Sequence, residues 1–351
     1  MFLHIGCPKS GTSHIQQRLS ANSDEAARQG LYWPMPWSRQ VRAVRDVRSL
    51  SVDDQLSPTG AWSELCREIS EWKGGAALVS MEWLAALRPR QIRSSIEALH
   101  PARVEIICSA RDLGRSFPAH WQESTQNNKP WGWDEFVAAV TSEKDVRHPA
   151  KAEFWSQHHV PNILQRWSTA VPMDRIHLVT IPPAGAHPDV LWERFASLLP
   201  IDGARFPPPD RQNPSLGVVS ASLMQRVNEV ARARDLPKAT YERYFKQILA
   251  KQVLAQLSET EDRIAVAPDV QAWLARKADV MVDELGDLAV DVVGSLEELI
   301  PRPAPLGGRA PSEVDDLELL STAVSALVGV LDVIACRDSD QQSLVDADAG
   351  P

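Results

Sequence analysis

The sequence predicts an α/β protein: a doubly wound parallel sheet flanked by helices, followed by a mostly helical C-terminal portion. Three observations predict it. An apolar run at 2–5 ends in a glycine-containing loop, 6–13, that passes into a helical pattern. Further short apolar runs at 31–34, 76–80, 104–108 and 176–181 alternate with helix-patterned stretches. Parallel strands joined by crossover helices have this signature. From Leu216 onward the spacing is helical almost throughout.

The elements follow in order. After Ser13, Ile15 and Leu19 share one helical face, with Gln16, Gln17 and Arg18 on the other. A second short helix, 21–28, stops at Gly30. Arg39, Arg42, Arg45 and Arg48 recur every three residues, which suits a solvated basic helix face better than a phosphate site. Trp62, Leu65, Ile69 and Trp72 give a helix that Gly74-Gly75 breaks. The run 76–80 is apolar on both faces, as a buried parallel strand requires. Helices are expected at 91–99, 116–126, 133–140 and 189–198, and at 154–167 with a kink at Pro161. The C-terminal portion carries helices at 216–233, 241–257 and 270–288, a Pro/Gly-rich stretch at 302–311, and an amphipathic helix at 314–335. The polar tail from Asp338 is expected to lack regular structure. This divides the chain into an α/β domain, 1–215, a helical extension, 216–300, and a linker, helix and tail, 301–351.

Composition narrows the function. The 351 residues are 44% apolar and 24% charged, as in ordinary globular domains. A formal net charge of −9 argues against a nucleic-acid partner but leaves room for a local basic pocket. Cys7, Cys66, Cys108 and Cys336 form no paired motif, so neither a zinc nor a redox site is expected. Cys7 and Cys108, at the ends of neighbouring strands, read as buried residues of a reducing, cytoplasmic compartment. No membrane span is expected, because no window holds eighteen consecutive apolar residues. Twelve tryptophans against three tyrosines suggest a few rings in a ligand cleft and most in the core.

The chemistry begins at Gly6-Cys7-Pro8-Lys9-Ser10-Gly11-Thr12-Ser13. A strand, a tight loop and a helix N-terminus point amides and the positive end of a helix dipole at one spot, where an anion fits. Gly6 and Gly11 have the spacing of the nucleoside-triphosphate loop, but Thr12 stands where that loop carries lysine, and Lys9 lies two residues before Gly11. This P-loop-like segment resembles the 5′-phosphosulfate loop of the sulfotransferases that use 3′-phosphoadenosine-5′-phosphosulfate. The resemblance implies that Lys9 contacts the transferring sulfuryl group and the leaving phosphate. It also implies that Ser10, Gly11, Thr12 and Ser13 hold the 5′-phosphate.

Two further segments extend the resemblance. Ser80-Met81-Glu82 is similar to the Ser-x-Glu segment of enzymes related to the heparan sulfate sulfotransferases, which implies Glu82 as catalytic base. His14 is its rival, since histidine is a base at neutral pH. Arg111 in Ala110-Arg111-Asp112 resembles the arginine that binds the donor's 3′-phosphate; the plain alternative is an ion pair with Asp112 or Glu105. The family pattern places a serine eight residues later, where this chain has Ala119, with Ser116 and Gln122 nearby as substitutes. His4, inside a strand, reads as a satisfied core histidine, and Trp121 as a packing residue. Arg211-Gln212-Asn213-Pro214-Ser215-Leu216 resembles a late segment of bacterial sulfotransferases. Residues 291–299 look like a terminal segment of actinobacterial-type sulfotransferase-like proteins.

Lys9, Glu82 and Arg111 follow three of the expected strands, the edge where open α/β sheets bind ligands. The expectation is metal-independent, in-line sulfuryl transfer from 3′-phosphoadenosine-5′-phosphosulfate to a hydroxyl or amine. The acceptor is a small molecule, glycan or natural product. Two other classes stay open: a P-loop nucleotide kinase or NTPase, and a non-catalytic nucleotide-binding interaction protein.

Overall fold

A computed structural model of the chain describes residues 1–48, 60–209, 215–302 and 308–348. Eight strands occur among them: β1 Phe2–His4, β2 Leu31–Tyr32, β3 Ala76–Ser80, β4 Glu105–Ala110, β5 Ile176–Thr180, β6 Arg263–Ile264, β7 Asp291–Val293 and β8 Gly308–Arg309. Six form one sheet in the order β2-β3-β1-β4-β5-β7, and every pairing is parallel. The protein is therefore α/β, with a parallel central sheet flanked by helices. The chain divides into two compact units, 1–116 with 147–212 and 271–302, and 117–146 with 213–270 and 303–351. These units interleave, whereas the limits expected at 215 and 300 are sequential.

In the first unit the central strands are buried on both faces, and the edge strands β2 and β7 are only partly so. All five residues of β3 and five of the six of β4 are buried. Ile15 and Leu19 pack with Leu78, Ile107, Val179 and Phe195 in the core on one side of the sheet. The reading of helix Thr12–Ala21 needs one correction. Gln16 and Arg18, placed on its outer face, are buried. Gln16 Nε2 donates to Ser80 O at 2.9 Å. Arg18 Nε donates to Phe206 O at 2.6 Å, its guanidinium pairs with Asp189, and its Cζ lies 4.9 Å from the Trp192 ring centroid. A crossover helix is covered on more than one side, so its polar face also finds partners.

Three other expectations change. The helix expected over 154–167 is two, Pro149–His158 and Val160–Ser168, broken at His159, with Pro161 in the first turn of the second. The edge strand β7 was not foreseen. It lies in the segment 291–299, which here has a structural role: Glu298 takes Arg194 at 2.7 and 2.9 Å and the Thr180 hydroxyl at 2.5 Å, closing the sheet edge. The last helix runs Asp316–Asp348, past Ala335 and through most of the tail expected to be irregular. Once a helix is nucleated, each further residue adds a bond at little cost.

The second unit is helical apart from the short parallel pair β6 and β8. Trp121 is fully buried and meets Trp133 edge-on at 5.3 Å, so it packs as expected. His120 is buried against Phe136. Asn228 donates to Thr125 O at 2.6 Å and accepts from Tyr241 Oη at 2.7 Å. Contrary to the expectation of no membrane-length segment, Asp316–Arg337 is long and apolar enough to cross a membrane by length and composition alone, at mean hydropathy 2.1.

Candidate functional site

The sheet order fixes where a ligand fits. The chain leaves β1 towards the β3 and β2 side and leaves β4 towards β5. Connections that diverge from neighbouring strands open a crevice outside their C-terminal ends. Loop 5–11 follows β1 and Arg111 follows β4, so they flank this crevice from its two sides. Cys7 N donates to Ser109 O at 2.7 Å, which carries the β1–β4 ladder into the loop. Met81 N donates to His4 O at 3.0 Å, which brings Glu82 to the same edge on the other flank of β1.

The loop turns sharply before its helix. Lys9 has φ 63° and Gly11 φ 75°. The left-handed region suits glycine and costs an ordinary side chain about 1–2 kcal/mol. A lysine held there is the kind of local strain found at functional positions. His14 N and Ile15 N both bond Gly11 O, at 3.0 and 3.2 Å, so Gly11 caps the helix. The amides of Thr12 and Ser13 precede the first intrahelical bonds and point out of the helix end.

Beneath the loop lies a buried polar relay. His4, with no exposed surface, bonds Ser80 Oγ at 2.7 Å and Ser109 Oγ at 3.0 Å. Ser109 Oγ lies 2.7 Å from Ser10 Oγ, whose hydroxyl also donates to Cys7 O. Ser80 N donates to Gln40 Oε1 at 2.9 Å. Three strand ends and the loop are thereby tied by side chains. Burial pulls the His4 pKa down to about 3, so the ring is neutral, the satisfied core histidine expected from the sequence.

Two observations bear on whether an anion fits. Thr12 is 4% exposed, and its Oγ1 has no hydrogen-bond partner among the described residues. Buried hydroxyls are almost always paired, so an orphan at a helix N-terminus suits an acceptor oxygen supplied from outside. A Cβ on Gly6 would stand 2.7 Å from Ser109 Oγ, 2.8 Å from Thr12 Oγ1 and 3.1 Å from His4 Nε2. Only glycine lets the backbone come this close to the relay. A helix N-terminus, an unpaired hydroxyl and a closely approaching backbone are the features an anion site needs.

Of the candidate residues, Lys9 and Arg111 meet directly: Arg111 Nη1 donates to Lys9 O at 3.3 Å, across the crevice. The two acids suggested as ordinary partners of Arg111 are engaged elsewhere, Asp112 with Arg115 and Glu105 with Arg103 at 2.8 Å. Ser116 is buried and donates to Arg111 O at 3.5 Å, which supports the arginine's backbone. Gln122 donates to Leu216 O at 2.5 Å. Neither hydroxyl nor amide thus stands in simply for the serine replaced by Ala119. Ser13 is exposed at the loop rim. Glu82 opens a 3₁₀ turn, Glu82–Ala86, straight after β3. His14 is half-buried; desolvation first, then Arg18, lower its pKa, with Asp189 acting in the opposite direction. Its electrostatic neighbours are the pair that braces the helix. Residues 211–214 lie outside the described residues.

Sequence reasoning missed the surroundings of Trp83. The four arginines do not form one solvated face. Arg39 pairs with Glu68, while Arg45 and Arg48 lay their guanidinium groups 5.4 and 5.6 Å from the Trp83 ring centroid, one residue from Glu82. Desolvation lowers the Arg48 pKa. The three-residue repeat was visible; the ring that collects it is distant in sequence. Cys7 and Cys108 are buried free thiols, and the hydrogen bond between them together with burial pushes the Cys108 thiol well up. Clefts of about 600 Å³ beside Cys66 and about 430 Å³ beside Arg18 and Trp192 leave out Lys9, Glu82 and Arg111. Among the described residues no group of three or more His, Cys, Asp or Glu is placed to hold a metal.

No family model matches this chain, and neither a curated protein nor a solved structure matches it.

Proposed function

We propose that this chain is a sulfotransferase with a P-loop-type, doubly wound nucleotide-binding domain, working in the cytoplasm on a hydroxyl or amine acceptor with 3′-phosphoadenosine-5′-phosphosulfate as donor. The observation that carries the reading is the convergence of Lys9, Glu82 and Arg111 on the C-terminal ends of three adjacent parallel strands, with Arg111 bonded to Lys9 O. The amides of Gly11 to Ser13 and the Thr12 hydroxyl would hold the donor's 5′-phosphate, while the Ser10 amide and hydroxyl both donate to Cys7 O and brace the loop. Arg111 would hold its 3′-phosphate, for which a planar guanidinium is suited.

When bound, the donor supplies an activated sulfuryl group. One S–O bond forms to the acceptor oxygen while the S–O bond to the 5′-phosphate breaks. Glu82 takes the acceptor proton, and adenosine 3′,5′-bisphosphate leaves. Lys9 neutralises charge developing on the bridging oxygen. Fixed charges positioned before the reaction account for most of the acceleration in such transfers. His14 is the second candidate base; its lowered pKa keeps it neutral and able to accept a proton.

Calorimetry tests the reading. Adenosine 3′,5′-bisphosphate is expected to bind more tightly than adenosine 5′-phosphate or ATP–Mg²⁺. Arg111→Ala should erase the preference for the bisphosphate over the monophosphate. Tighter binding of ATP–Mg²⁺ would instead indicate a nucleoside-triphosphate enzyme and overturn the proposal. Glu82→Gln should abolish transfer and leave bisphosphate affinity unchanged; if His14→Ala does this instead, the base is His14.

A further inference from the structure

The helix Asp316–Asp348 packs one side on its neighbours and turns a row of large apolar residues outward. Ala326 is buried, and a Cβ on Gly329 would stand 2.8 Å from Val253 Cγ1. On the opposite side Leu317, Leu320, Val324, Leu327, Val328 and Leu331 are 55–75% exposed. Five of them are separated by alternating steps of three and four residues, the spacing of a seam between two helices. At 1.5 Å per residue the stripe is about 21 Å long, and no charged residue occurs between Glu318 and Asp332. We propose that this stripe is the interface between two copies of this chain, packed as a two-fold pair of helices.

The exposed area suits that occupant. Full burial of a Leu or Val side chain removes roughly 100 Å² of apolar surface. At these exposures the six remove about 350–400 Å² per copy. With homodimer interfaces about 65% apolar, the pair amounts to about 1,100 Å², above the roughly 1,000 Å² expected of a specific interface.

A membrane is the other occupant suggested by the hydropathy of this helix. Its inner face, however, packs on the helical stretches 218–233 and 241–254. A helix lying on a lipid surface favours Lys and Arg on its polar side and Trp or Phe among its apolar residues. Residues 311–336 contain none of these four, and Asp315, Asp316, Glu318 and Asp332 oppose anionic lipid.

The test is the mass of the full chain by light scattering across a dilution series. The expected result is twice the monomer mass, falling to one in Leu320→Gln/Leu327→Gln with an unchanged far-ultraviolet spectrum. On a Cys336→Ser background, Val324→Cys, at the stripe's centre, should then cross-link to itself with a short bis-maleimide. This second variant keeps the seam apolar and answers the question if the double variant misfolds. A wild-type monomer at every concentration overturns the proposal, as does a dimer that survives the double substitution without the cross-link. So does a monomer that sediments with phosphatidylglycerol vesicles and loses them on the same substitutions.

Discussion

Thr12→Val separates the cost of an orphan hydroxyl from its use. In the free protein Thr12 Oγ1 is buried and has no partner among the described residues. An unpaired buried hydroxyl costs about 1–3 kcal/mol, and valine fills almost the same space without it. The variant should therefore be more stable than the parent by about 1–2 kcal/mol. For a unit of this size that is a rise of roughly 2–8 °C in Tm. With adenosine 3′,5′-bisphosphate the sign reverses. A hydrogen bond to a charged group is worth about 1.5–3 kcal/mol, so affinity should fall by about 10- to 150-fold. Thr12→Ser, which keeps the hydroxyl, should bind nearly as the parent does. Differential scanning calorimetry and titration calorimetry read the two effects on the same samples. A variant that is less stable, or one that binds the bisphosphate as tightly as the parent, would refute the assignment of this hydroxyl to a ligand.

Three further outcomes follow from the same loop. His4 is neutral in the fold, with its pKa near 3 against about 6.5 unfolded, so below pH 6.5 the unfolded chain binds the extra proton. Stability is then full above pH 6.5 and falls by roughly 3 kcal/mol as pH drops to 4; denaturant titrations of His4→Gln should show this slope reduced by about one proton, and an unchanged slope would assign it elsewhere. Lys9→Gly and Lys9→Ala both remove the ammonium and should weaken bisphosphate binding alike, yet the glycine variant should be the more stable by about 1 kcal/mol, because only alanine retains the strain of φ 63°. Equal stabilities would show that the loop relaxes. Gly6→Ala pushes a methyl against Ser109, Thr12 and His4 and should cost about 1–3 kcal/mol in denaturant unfolding together with bisphosphate binding; an unaltered midpoint would mean that the relay has room.

The parts of this protein legible in the sequence are those set by local chemistry. Phe2–His4, Gly11 and Ile15 with Leu19 specify strand, reversal and buried helix face within twenty residues, and each signal is strong alone. Apolar runs long enough to register, such as 76–80, likewise stand out as strands buried on both faces. β7 is three residues long, one of them Asp291, and it is a strand only because β5 offers an unpaired edge. The burial of Gln16 and Arg18 depends on Ser80 O and Phe206 O, carbonyls 64 and 188 residues away, which no periodicity announces.

The candidate site shows the same division and gives it a direction. Lys9, Glu82 and Arg111 were found singly, each as the residue just past an expected strand, and strand order alone decided that those three strands are neighbours. What the sequence could not supply is the support behind them. His4, Ser80, Ser109 and Ser10 lie in separate segments, and nothing in the sequence joins them, yet they form one chain of hydrogen bonds of 2.7–3.0 Å beneath the loop. A loop held from below in this way keeps its amides aimed before any anion arrives. The Thr12 hydroxyl, at the helix N-terminus beside this relay, is the one orphan in the loop among the described residues.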